Sequence, residues 1–261
     1  MTITLGTPYT NSMNYKVWGL YLFAAGTLFT KMYFDAEAQA KAAKVSPIVA
    51  TLTSRVYKIR NTGSKTTGTA FALKTGARQA YITNWHVCVG AANDTLLIET
   101  PQGYHPALVV KVSVKYDLCA LRGLDIEHPL EMSSLFPVST DIVHSAGFPH
   151  GKSGPVVSGF MLETTDVAAP YPPLPNGQGC HPDMTTEITT TIFRGMPRSV
   201  SQRCMHSVLV IDTDMPAAPG MSGSPVVDDT GRVVGVVAGV TEKVNAYFIP
   251  SYSLSTFIDG L

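Results

Sequence analysis

The segment Gly220-Met-Ser-Gly-Ser-Pro225 has the make-up of a nucleophile turn. A serine hydroxyl attacks a carbonyl efficiently when it is held on a tight turn, with its own N–H and a nearby glycine N–H aimed at the oxyanion that forms. Gly220 permits backbone geometry that a side chain would obstruct, Gly223 lets the chain turn away, and Pro225 opens the next strand. Ser222 is thus the candidate nucleophile, and the N–H groups of Gly220 and Ser222 the candidate oxyanion donors. Ser224 lacks a glycine two residues before it and is set aside. On its own the hexapeptide also fits a simple turn, so the case needs a base. His86, in Ile82-Thr-Asn-Trp-His-Val87, ends one apolar strand and precedes another apolar segment. The other histidines, 105, 128, 144, 150, 181 and 206, sit near prolines, glycines or charged turns. Asp117, in Lys115-Tyr-Asp-Leu-Cys-Ala-Leu121, opens an apolar strand. A carboxylate there would accept one imidazole N–H and leave the other nitrogen facing the serine. Asp94 and Asp125 are alternatives, but Asp94 sits in a turn and suits a capping role.

These residues need a rigid frame. From residue 47 onward the chain has short runs rich in Val, Ile, Thr and Tyr, separated by Gly, Asn, Asp and Pro. That texture predicts an all-β barrel or sandwich. Strands are expected at Ser54–Arg60, Gly68–Leu73, Gln79–Thr83, Thr95–Thr100, Tyr104–Lys115 and Leu118–Leu121. Further strands are expected at Asp141–Gly147, Pro155–Leu162, Ser207–Ile211, Ser224–Val227, Val233–Gly239 and Ala246–Pro250. Asp228–Gly231 reads as a hairpin turn. Residues 163–206 read as an extended, turn-rich insertion, and 253–261 as a short closing helix.

With 261 residues and 45% hydrophobic content, a sizeable core can form. Nineteen basic residues balance nineteen acidic ones, so no charge surplus points to nucleic acid. Four cysteines, Cys88, Cys119, Cys180 and Cys204, form no CxxC pair and no zinc-site spacing, and no metal or organic cofactor is implied. Cys88 and Cys119 each follow a candidate site residue by two positions and could lie near each other. The default reading is a pair of buried free thiols. Cys180 and Cys204 could pair in an oxidising compartment.

Residues 1–46 form a separate N-terminal tail and apolar helix, read as helical over 15–44. Its uncharged run of about 14 residues is short of the roughly 20 that span a bilayer. Lys31 could snorkel and extend it, and flanking aromatics fit a membrane interface. Three readings stay open: a cleaved signal peptide, an uncleaved anchor through residues 15–34, or a helix docked on the domain. The expected location is membrane-associated or exported.

The order His86, Asp117, Ser222 resembles the chymotrypsin-like serine protease superfamily, and within it the HtrA-like and viral branches. Thr-Asn-x-His-Val, Asp-Leu-x-x-Leu and Gly-x-Ser-Gly-x-Pro all occur here. Ser145–Gly151 with Val157-Ser-Gly159 resembles the turn that opens the second HtrA-like barrel, and Asp212-Thr-Asp214 adds a further match. The resemblance covers roughly residues 50–250. It implies two six-stranded antiparallel β-barrels in a domain at 47–261, barrel 1 at about 47–135 and barrel 2 at about 136–261. It implies a serine endopeptidase acting on polypeptides through an acyl-enzyme. It also places the floor of the primary specificity pocket at Pro216 and Ala217, and its wall at Val237, Ala238 and Gly239, where substrate backbone would pair. None of these is acidic, so a small or apolar P1 residue is expected. Two alternatives are a membrane-tethered viral polyprotein-processing enzyme and a catalytically inactive pseudoprotease that binds through the same groove.

Overall fold

The computed structural model describes residues 48, 52–76, 78–126, 128–134, 138, 141–171, 180–182, 184–193, 196–241, 244–259 and 261. All of these fall in one compact unit, Pro47–Leu261. The apolar segment 15–34 lies outside the described residues. Among the described residues, no helix is long and apolar enough to cross a membrane.

Two closed six-stranded antiparallel barrels make up the unit, a chymotrypsin-like architecture. The first contains β1 (Val56–Arg60), β2 (Thr67–Thr75), β3 (Arg78–Thr83), β4 (Thr95–Thr100), β5 (Gly103–Ser113) and β6 (Leu118–Arg122). Their order is β1-β4-β5-β6-β3-β2, and β1–β2 pairing closes the ring. A two-residue strand, β7 (Leu130–Glu131), adds in parallel to β2. The second barrel uses β8 (Ile142–Ser145), β9 (Val157–Tyr171), β11 (Met196–Pro216), β12 (Pro225–Val227), β13 (Val233–Val240) and β14 (Asn245–Pro250). Its order is β11-β14-β13-β12-β8-β9, closed by β9–β11 pairing, while β10 (Thr185–Phe193) flanks β11 outside the ring.

Period-two alternation explains why β2 and β6 are apolar on both faces. Ala70, Ala72, Cys119 and Leu121 fill the interior of the first barrel. Their alternates Phe71, Leu73, Leu118 and Ala120 join a core between the barrels, with Val208, Val210, Val236 and Ile249 from the second. Met161, Met215, Met221, Val226, Val237 and Phe248 fill the second barrel. Full burial of each large side chain is worth roughly 1.5–3 kcal/mol. The closing helix spans Ser251–Ile258 and buries Leu254, Phe257 and Ile258. Arg78 caps its end, donating to the Ile258 and Asp259 carbonyls at 3.1 and 2.7 Å.

Two expectations need correction. The region 163–206 is not mainly turns. β9 runs on to Tyr171, and β11 starts at Met196, pairing first with β10 and then with β9. Its runs of Thr, Val and Ile suit a pleated ribbon, and Pro170 and Pro197 are accommodated in it. Nor are Cys88 and Cys119 free thiols, while Cys180 and Cys204 take the pairing the sequence left open. Cys88 is bonded to Cys119, and Cys180 to Cys204.

Candidate active site

His86 lies on a four-residue helix, Trp85–Cys88, directly after β3. So short a helix needs outside support for its last carbonyls. The fully buried Asn61 supplies it, its Nδ2 donating to the carbonyls of Val87, Cys88 and Val89 at 2.9–3.2 Å.

Asp117 occupies the turn before β6, with φ at +50°. Aspartate tolerates this left-handed region better than most side chains. The conformation aims its whole peptide at the histidine segment. Its carbonyl accepts the Trp85 N–H at 3.1 Å and the Asn84 amide at 3.0 Å. Its Oδ1 accepts the His86 backbone N–H at 3.0 Å, and Oδ2 faces Nδ1 of the ring at 2.8 Å. Nδ1–H therefore donates to the carboxylate, which leaves Nε2 as the lone-pair nitrogen. Burial lowers the imidazole's proton affinity, but the charge of Asp117 and its hydrogen bond outweigh that and leave the pKa raised above 6.5.

Ser222 stands on the turn before β12. Gly220 and Gly223 flank it with φ of +98° and +86°. A Cβ at Gly220 would lie 2.4 Å from the Phe148 carbonyl oxygen, and one at Gly223 2.1 Å from that of Thr69. Both positions thus demand glycine for conformation and for space. Backbone bonds tie the turn to both barrels. Thr69 N–H donates to the Ser222 carbonyl at 2.8 Å, and Gly223 N–H to that of Val237 at 2.9 Å. Thr69 Oγ1 donates to the Gly220 carbonyl at 2.9 Å and accepts the Phe148 N–H at 3.1 Å. Among the described residues, the Gly220 and Ser222 N–H groups have no acceptor. Gly68 sits between Ser222 and the histidine helix: a Cβ there would meet Val87 Cγ1 at 2.8 Å and the Ser222 carbonyl at 3.2 Å. A side chain at this position would thus push against both the histidine helix and the serine turn.

The expected pocket residues divide. Ala238 is at the site, its carbonyl 3.5 Å from Ser222 Oγ, and Gly239 follows it on β13. Val237 bonds the nucleophile turn through its backbone while its side chain packs in the second barrel, beside Ala217 and Met221. Pro216 ends β11 and is exposed. Ser224 is fully buried, and Asp125 is exposed beyond β6.

A second set of the same residue types occurs elsewhere. Buried His144 has Nδ1 2.7 Å from Ser158 Oγ and Nε2 3.0 Å from Asp229 Oδ1. His144 and Ser158 face each other in the β8–β9 ladder. Ser158 is on a straight strand, with no turn to converge N–H groups on an oxyanion. The His144 ring bridges Ser158 and Asp229, which ties the β12–β13 hairpin to β8 and β9.

Sequence reasoning assigned no role to Thr69, Asn61 or Gly68, since nothing local marks a residue whose partners lie far along the chain. Asn84 stood within the histidine motif but carried no role of its own.

The family of trypsin-like peptidase domains matches residues 68–236. The chain belongs to that family. This trypsin-like peptidase is accordingly a serine endopeptidase, a hydrolase whose substrates are polypeptides. Its fold is that of solved bacterial proteases. The active form of the Rv3671c protease of M. tuberculosis superposes with a TM-score of 0.63 at 20% identity, over 84% of this chain and 85% of that one. A serine endoprotease from Yersinia pestis gives 0.57 at 17% identity, over 82% of this chain and 64% of that one. The HtrA-type protease AlgW, solved with a tripeptide, gives 0.55 at 19% identity, over 80% and 61%. No curated protein matches the chain by sequence. The trypsin-like peptidase thus has an HtrA-like fold.

Proposed function

We propose that Ser222, His86 and Asp117 are the catalytic triad of this peptidase. Ser222 Oγ attacks the scissile carbonyl as His86 Nε2 takes its proton. Asp117 holds the tautomer and stabilises the imidazolium. The N–H groups of Gly220 and Ser222 receive the oxyanion. His86 then protonates the leaving amine, and water hydrolyses the acyl-enzyme by the same route. The observation that carries this reading is the two-point hold of Asp117 on His86, beside a glycine-flanked serine turn. It favours an active enzyme over a pseudoprotease.

The pocket expectation continues as a proposal: the P1 residue is small or apolar. An exported or membrane-associated location is supported by two disulfides, which persist in oxidising compartments. Labelling with a fluorophosphonate probe tests the triad. Wild type labels, while Ser222→Ala and His86→Ala do not; a folded wild type that does not label would overturn the proposal. Efficient cleavage after Arg or Glu in a peptide library would overturn the P1 preference.

A further inference from the structure

Beyond Ala238 the cleft wall has a glycine, and a tyrosine from the neighbouring strand lies across it. Gly239 faces Tyr247 in the β13–β14 ladder. A Cβ at position 239 would lie 2.3 Å from the Tyr247 hydroxyl and 2.5 Å from its Cζ. No other residue type fits there without moving the phenol. The ring packs against the core between the barrels and is partly exposed. Burial, then the charges of Asp117 and Asp212, hold its hydroxyl above the usual phenol range, so the ring is close to the site's own carboxylate and stays neutral.

One strand further out, Asp212 is the register partner of Tyr247. Directly paired residues present their side chains on the same face of a sheet. Gly239, Tyr247 and Asp212 therefore make a row across β13, β14 and β11, running outward from Ser222. Asp212 Oδ1 is buried and has no hydrogen-bond partner. Among the described residues no cation pairs with this carboxylate. Burial and the Glu163 carboxylate push its pKa up, the mark of an anion that lacks compensation. A cation arriving with the substrate would relieve both penalties.

We propose that Tyr247 and Asp212 form a substrate subsite that takes a lysine or arginine side chain of the bound peptide, at a position distinct from P1. This rests on the triad reading above, and on Ala238–Gly239 as the strand that pairs with substrate. A peptide paired to β13 projects alternate side chains along the sheet, and Gly239 interposes nothing between them and the phenol. The apolar stem and cation lie over the Tyr247 ring, and the charged end meets Asp212. An acidic side chain in the same place would be repelled by Asp212 and the nearby Glu163 carboxylate.

The test is a positional-scanning peptide library with a fixed apolar P1 residue, read as kcat/KM beside fluorophosphonate labelling. In the wild type, one position from P2 to P4 should favour Lys and Arg over Glu by about tenfold or more. Asp212→Asn should reduce that ratio to about twofold or less. Tyr247→Ala should weaken it as well, with Tyr247→Phe retaining most of it because the ring face does the stacking. Asp212→Asn should melt at or above the wild-type temperature, since it removes carboxylate repulsion, so loss of selectivity will not reflect unfolding. A wild type that labels but shows no basic preference overturns the subsite alone. So does an Asp212→Asn variant that keeps the preference. A folded wild type that does not label overturns the triad and the subsite together.

Discussion

Cys88 is covalently bonded to Cys119, so the residue two after His86 is tied to the residue two after Asp117. Both cysteines are buried in the interior of the first barrel, 31 positions apart in sequence. The crosslink therefore fixes the spacing of the two segments that carry the proposed base and carboxylate. Closing a loop of that size should contribute about 3–4 kcal/mol by restricting the unfolded chain. A Cys88→Ser, Cys119→Ser double variant should unfold at correspondingly lower denaturant, with C_m falling in urea titration. Below its own melting temperature it should also label more slowly with fluorophosphonate, because His86 and Asp117 then rely on hydrogen bonds alone. A lowered C_m with unchanged labelling would confine the disulfide to stability.

In the proposed triad the Asp117 contact also sets the pH at which the base works. A general base must be neutral, so if His86 fills that role activity should be lost as pH falls through its pKa. That pKa is raised, so the acid limb of kcat/KM should lie above that of an ordinary histidine. In Asp117→Asn the charge is gone and burial, which lowers the pKa, remains. The limb should move to lower pH while kcat falls by about 10⁴. The linked effect on stability has a fixed sign. A raised folded-state pKa adds stability that is complete below the unfolded value and is lost as pH rises through the folded one. The Asp117→Asn variant should lack that acid-side increment in urea titrations at several pH values.

Much of this candidate site was legible because the chemistry proposed for it needs local motifs. A nucleophile turn requires glycines at fixed offsets, and Gly220 and Gly223 stand at them with positive φ. Strands with a single polar face were also legible, and Thr95–Thr100 has the expected bounds. Bounds blurred where burial came from another part of the chain, as in β2, whose ends lie beyond the apolar run that marks it. The β9–β11 ribbon was misread because prolines and glycines near 170–179 resemble turns, whereas register with a distant partner keeps Ala168–Tyr171 extended. Sulfur pairing was illegible for the same reason. Two cysteines, each two residues beyond a site residue, can share a core as thiols or as a disulfide, and only their juxtaposition decides.

Two glycines with the same backbone hand give a controlled comparison. Gly223 has φ of +86° and Gly231 +80°. A Cβ at 231 would meet nothing within 4 Å, whereas one at 223 would meet Thr69 O at 2.1 Å and Thr83 Oγ1 at 2.3 Å. Gly231→Ala should then cost about 1–2 kcal/mol, the conformational term alone, and keep full labelling. Gly223→Ala adds displacement of backbone under the nucleophile, so it should lose labelling and melt well below Gly231→Ala. Equal melting and labelling for the two variants would refute the close approach of β2 to the turn.

Thr69 offers the sharpest test of whether that turn is held rather than merely formed. Its hydroxyl donates to the Gly220 carbonyl and accepts the Phe148 N–H, and its carbonyl accepts the Thr83 hydroxyl at 2.7 Å. The Gly220 carbonyl belongs to the peptide that directly follows the Gly220 N–H, so holding it restricts rotation between that candidate oxyanion donor and the Ser222 turn. Thr69→Val keeps the shape of the side chain but leaves the Gly220 carbonyl and Phe148 N–H without that partner, at about 1–3 kcal/mol for buried groups. If the hydroxyl only braced the barrel, the cost would appear in melting and leave kcat alone. If it fixes the oxyanion donor, kcat should fall by about 10- to 100-fold with little change in KM, since the lost interaction acts in the transition state. Thr69→Ser, which restores the hydroxyl, should recover most of that loss. A variant pair in which Val and Ser behave alike would show that Thr69 packs against the turn without orienting it.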